Sequence, residues 1–172
     1  RLTFLWFSTT VVIGYLIYFI LSTGGVYPYR DFTMLERVLT QPYILLTYLK
    51  LSFVPDLFAY NPFHDNIQVF SFANIPWYGL LAISIVLTLL SLSVVKKLRY
   101  PVLSFAILWF FSAHLLESTV LGLELYFEHR NYLAILGPCF AIGWYLSQWS
   151  MIYPRLIITG TLSYLGLMTV IT

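Results

Sequence analysis

Charge is scarce in this chain. Of its 172 residues only 9% are charged, nine Lys and Arg against seven Asp and Glu. A soluble domain carries about 25% charged residues, so an ordinary water-soluble fold is excluded. Cysteine is nearly absent. The single Cys139 rules out an internal disulfide and any zinc site built on paired cysteines, and its apolar setting predicts a small buried hydrophobe. No basic run interleaved with stacking side chains occurs, which excludes nucleic acid as a partner. Gly24-Gly25 lacks the Lys of a phosphate loop. No small-residue cleavage site follows the first apolar run, Leu2 to Leu21, so that run is not a removable signal. Internal repeats, heptads and low-complexity tracts are also missing.

What the chain has in excess is apolar surface. Hydrophobic residues make up 60% and aromatics 19%, with mean hydropathy +0.83. This composition predicts an all-α integral membrane protein, a polytopic helix bundle in a lipid bilayer. A spanning helix needs roughly 20 mostly apolar residues. Five segments qualify: about 3–21, 77–95, 101–120, 132–149 and 154–171. The shorter apolar stretch Tyr43–Val54 contains Lys50 and lies between Pro42 and Pro55, which tend to end helices. The chain opens on Arg1 directly before an apolar segment and closes within another at Thr172. Residues 1–172 are therefore expected to form one transmembrane domain that is a piece of a longer polypeptide.

Loop charge predicts orientation. Lys96, Lys97 and Arg99 form a basic turn, Arg155 lies in the next turn on that side, and Arg1 precedes the first span. All seven acids fall in the other connections. The basic turns are expected in the cytoplasm and the acidic loops in the periplasm, which suits a bacterial inner membrane. Parity then makes about 34–58 an outer-face or re-entrant helix, since backbone at that depth is tolerated where it packs on protein. A full crossing is the alternative. The connection Pro55–Pro76, rich in Phe, Tyr, Asn and Pro, reads as an ordered outer loop at headgroup level.

The candidate site is the cluster His114, Glu117, Glu124, Glu128, His129, Arg130 and Tyr132. Positions three, four and seven apart share a helix face. If the third span continues, His114, Glu117, Glu124 and Glu128 line one stripe, capped by His129 and Arg130. Such a stripe is either the polar wall of a substrate cavity or a set of helix–helix salt bridges with solvated loop charges. Ionisable groups near hydrocarbon depth favour the cavity. Glu124, Glu128 and His129 are the candidate acid–base groups. Arg130 matches phosphate oxygens in a bidentate way, unless it snorkels toward headgroups. Arg37 is a second candidate phosphate contact. It does not face its neighbour Glu36, so each needs another partner. The His114/Glu117 and Glu124/Glu128 spacings also permit a divalent metal, although no cofactor is expected. His64-Asp65 reads as structural or surface, Arg30-Asp31 as a turn, and Lys50 as snorkelling or meeting an acidic headgroup.

Two segments resemble a known family. Glu36-Arg37-Val38-Leu39-Thr40, with Tyr43 and Pro55 beyond, is similar to a segment of the membrane glycosyltransferases that carry tetratricopeptide repeats. Glu128-His129-Arg130-Asn131-Tyr132-Leu133 resembles a later element of that family, with Ala134 where proline is usual. The resemblance spans about Glu36 to Gly137. It implies a GT-C type fold akin to protein O-mannosyltransferases, which move a sugar from a polyprenyl-phosphate carrier to a hydroxyl of an acceptor protein. It also implies that Arg130, with Arg37, approaches the carrier phosphate and that Glu128 shapes the site. His114, Glu117 and Tyr132 join Arg130 and Arg37 as substrate-binding candidates. The family's acidic catalytic residue belongs to a first outer loop. No Asp-Asp or Glu-Asp pair follows the first span here, so that loop is expected upstream of Arg1.

Three readings remain open: this glycosyltransferase, a surface-glycan ligase or polymerase using the same donor chemistry, and a non-enzymatic subunit of a membrane complex. A transporter fits less well, because the acids cluster at one face and a transport site lies near the midplane.

Overall fold

The protein is described by a computed structural model covering residues 2–54, 67–97, 99–115, 118 and 121–171. Within these it is all helical, with six α-helices and no strand: α1 (Leu2–Thr23), α2 (Met34–Phe53), α3 (Trp77–Val95), α4 (Pro101–His114), α5 (Asn131–Ser150) and α6 (Pro154–Ile171). A short 3₁₀ turn, Glu128–Arg130, precedes α5. Gly24 and Gly25 have φ of +61° and +78°, a left-handed turn that glycine adopts without a Cβ penalty. It reverses the chain between α1 and α2, where Met34 N–H donates to the Gly25 carbonyl at 2.9 Å.

α2 begins with a capping box that the sequence carries as Thr33-x-x-Glu36. The Thr33 hydroxyl accepts from the Glu36 N–H, and the Glu36 carboxylate accepts from the Thr33 N–H at 2.9 Å. The helix then passes through Pro42, as an outer-face helix over about 34–58 requires. Proline removes one backbone donor, and side-chain contacts on both sides of it hold the helix together. α2 ends at Phe53, short of the expected 58. Its buried residues are Arg37, Thr40, Gln41, Ile44, Leu45 and Tyr48, spaced three and four apart on one face.

α2 touches each of the helices that follow it. Tyr43 meets Tyr78 in the first turn of α3, with ring centroids 5.3 Å apart. Tyr48 stacks on His114, the last residue of α4, at 5.6 Å. Ser52 accepts from the Asn131 amide at the start of α5, at 2.8 Å. The Phe53 carbonyl accepts from the Tyr164 hydroxyl of α6 at 2.7 Å.

α4 and α5 form the most extensive helix pair. Gly137 permits it, because a Cβ there would lie 2.9 Å from Trp109 Cδ1 and 3.0 Å from the Ala106 carbonyl. Trp109 Nε1 donates across the pair to the Leu133 carbonyl at 2.9 Å. Ala134, Gly137 and Ala141 are buried on this side of α5. Cys139 is on another side and is exposed, which corrects its expected burial: the α4 contact is filled by residues smaller than cysteine or lacking a side chain.

Trp77–Val95 is the one helix among the described residues that is long and apolar enough to cross a membrane. Only 22% of its apolar window is buried, unlike the core helix of a soluble protein. α4 is apolar but has 14 residues and stops at His114, short of the expected 120. Of the expected outer loop 55–76, residues 55–66, including His64 and Asp65, lie outside the described residues. The remainder folds back on α2. Phe70 is buried, and its N–H donates to the Thr40 hydroxyl at 2.9 Å.

Candidate functional site

The single helical stripe is not formed. α4 ends at His114, and Gly122–Glu124 and Tyr126–Phe127 carry no helix. Ser118, Thr119, Val120 and Gly122 are all poor helix formers. The carbonyls beyond them are taken by side chains from elsewhere. Arg30 Nε donates to the Gly122 carbonyl at 3.3 Å. Arg37 donates to the Leu123 carbonyl and, at 3.4 Å, to that of Glu124. Arg130 donates to the Glu124 carbonyl at 3.0 Å. Gln41 donates to the Leu125 carbonyl at 3.2 Å. The segment is thus a strap held by its backbone, on which three guanidiniums converge.

Gly122 lets the strap lie flat on Tyr27. A Cβ there would sit 2.6 Å from Tyr27 Cδ1. Burial raises the pKa of the Tyr27 phenol, with the charge of Arg37 acting the other way.

Arg37 is 0% exposed. Burial lowers its pKa to about 10, the Tyr27 phenol opposing the fall and Arg130 and Arg30 adding to it. The guanidinium therefore stays charged at neutral pH. A fully buried head that donates to carbonyls does not meet a phosphate in this arrangement. The expected phosphate contact at Arg37 is corrected to a cation that holds the strap.

Arg130 is half-buried and lies 5.2 Å over the Phe127 ring. His129, on the surface, packs on Phe127 at 5.0 Å and edge-on to Tyr132 at 5.9 Å. Tyr132 is 71% exposed. The Glu124 carboxylate is on the exposed rim, 3.9 Å from Arg30. Glu124, Arg130, His129 and Tyr132 are thus brought onto one strap and the start of α5.

His114 lies behind them, against Asn131 at the start of α5. It is buried between Tyr48 and the edge of Phe110, and among the described residues its Nε2 has no hydrogen-bond partner. The expected helical stripe shared with the carboxylates is not formed, since α4 ends at His114. Glu117 lies outside the described residues, as does the side chain of Glu128. Among the described residues no three His, Cys, Asp or Glu groups gather to hold a metal ion.

Arg30, Gln41, Tyr48 and Asn131 were missed by the sequence reading. Their signal was present in part: Arg37, Gln41 and Tyr48 share a face, and polar groups on the buried face of a helix need partners. Which partners they find depends on strap residues 79 to 87 positions away.

No protein-family model, curated protein or solved structure matches this chain.

Proposed function

We propose that this chain is part of a GT-C type glycosyltransferase that moves a sugar from a polyprenyl-phosphate carrier to a protein hydroxyl at the outer face of a bacterial inner membrane. The observation that carries this reading is the convergence of Arg30, Arg37 and Arg130 on the Gly122, Leu123 and Glu124 carbonyls. Like charges gathered together raise one another's energy; the Glu124 carboxylate, 3.9 Å from Arg30, offsets part of this, and an arriving phosphate relieves more. Carbonyls fix the guanidiniums in place, so they need little reorganisation when negative charge develops on a departing lipid phosphate. Arg130, half-buried at the surface, is the head that meets this phosphate. His129 and Glu124 stand on the exposed side, where an acceptor approaches, with Glu128 between them in sequence. Tyr132 and Phe127 supply exposed rings beside the charge, as at a membrane–water interface.

The membrane setting rests on composition and on exposed apolar faces. α3 spans roughly 28 Å at 1.5 Å per residue, close to the hydrocarbon thickness of about 30 Å. Val11, Tyr18 and Leu21 of α1 and Leu156, Leu162 and Leu167 of α6 are each more than half exposed. Apolar surface on this scale marks contact with lipid or with further helices.

The test deletes the gene in its host and measures intact masses of envelope proteins, with complementation by wild type and by Arg130→Ala. The reading predicts a hexose-sized mass that disappears on deletion, returns with wild type and stays absent with normally expressed Arg130→Ala. Unchanged protein masses across all strains would exclude protein glycosylation.

A further inference from the structure

We infer that α2 is a rail that sets the register of the strap, and that Gln41 and Tyr48 are positioning residues for the phosphate-facing Arg130. The inference rests on the reading of Arg130 given above. The contacts run in order along both segments. Arg37 holds the carbonyls of Leu123 and Glu124, and Gln41 holds that of Leu125. The Tyr48 hydroxyl accepts from the Phe127 N–H at 2.6 Å. Ser52 and the Tyr48 carbonyl then accept from the Asn131 amide, at 2.8 and 3.5 Å.

The strap bends at Leu125, so its register is set by these paired contacts and not by a regular backbone repeat. A slip of one residue against α2 would pass each strap carbonyl to the wrong donor and displace Arg130. Asn131 ties down the residue next to Arg130, so the rail fixes the charged site at its far end as well.

Tyr48 separates register from packing. Its ring packs on His114 and Tyr126, whereas its hydroxyl holds the strap. Tyr48→Phe keeps the first and removes the second. Gln41→Met keeps the side-chain shape and removes the donor to Leu125. Both variants, and Arg130→Ala, are made in the full-length protein in phosphatidylcholine nanodiscs. Two quantities are read: amide hydrogen exchange of peptides covering 121–131 and 77–95, and affinity for added undecaprenyl phosphate.

Each rail variant is expected to speed exchange in 121–131 roughly threefold to tenfold, the size of one lost hydrogen bond, with 77–95 unchanged. Affinity falls by a similar factor. Unchanged exchange in 121–131, or an equal rise in both peptides, overturns the rail. A loosened strap with affinity intact, while Arg130→Ala abolishes binding, overturns the positioning role and leaves the proposed function standing. A loosened strap with no affinity change even in Arg130→Ala keeps the rail and removes the phosphate reading of the site.

Discussion

Arg37 carries a permanent charge to 0% exposure on a helix otherwise buried through Thr, Gln, Ile, Leu and Tyr. Its planar fork reaches two consecutive carbonyls, a geometry that a lysine ammonium cannot copy. Arg37→Lys is expected to lower unfolding free energy by about 2 kcal/mol, the scale of lost charged hydrogen bonds, read from denaturation in mixed micelles. A variant as stable as wild type would show that charge alone suffices there. Gly122 is constrained by space: its missing Cβ is where Tyr27 lies. Gly122→Ala is expected to cost about 1–3 kcal/mol through overpacking in the same titration. At this scale the sequence was legible in kind but not in role. Arg37 stood out as a cation needing a partner, yet its partners are backbone atoms 86 and 87 residues away, which leave no mark in side-chain identity.

α2 is the element on which the others depend. Its N-terminus is set by the Thr33–Glu36 box, and its face holds both the strap and the 67–74 return. Thr33→Ala is expected to cost about 1 kcal/mol and to raise hydrogen exchange first in α2's opening turn. Equal exchange there in both proteins would mean that tertiary packing alone starts the helix. Helix positions were largely readable. The expected segments 77–95, 132–149 and 154–171 coincide with α3, α5 and α6 to within about a residue. The misses occurred where partners elsewhere in the chain decide the outcome. α4 ends at His114, short of 120, and the carbonyls of residues 122–125 bond to Arg and Gln side chains. The capping box was present in the sequence and went unread.

For the molecule as a whole, the basic turn after α3 and the strap lie on opposite sides of the membrane in the proposed arrangement. In a Cys139→Ser background, an impermeant maleimide is expected to label Tyr29→Cys in intact spheroplasts and Lys97→Cys only after lysis. Labelling of both from the same side would refute that orientation. The all-helical class followed directly from composition. Charge parity in the sequence is what sets 34–58 at the outer face; in the fold α2 is held to its neighbours through Tyr43, Tyr48 and Ser52.

The rail grips carbonyls and one N–H, groups that every residue except proline brings to the same places. The identities of Leu123, Glu124 and Leu125 are therefore loosely tied to the register that their backbone keeps. A library randomising these three positions, with Gly122 and the rail held fixed, would keep one scaffold while varying what surrounds the charged head. New acceptor preferences can then arise by substitution without refolding, and an engineer would begin on the strap and leave α2 alone.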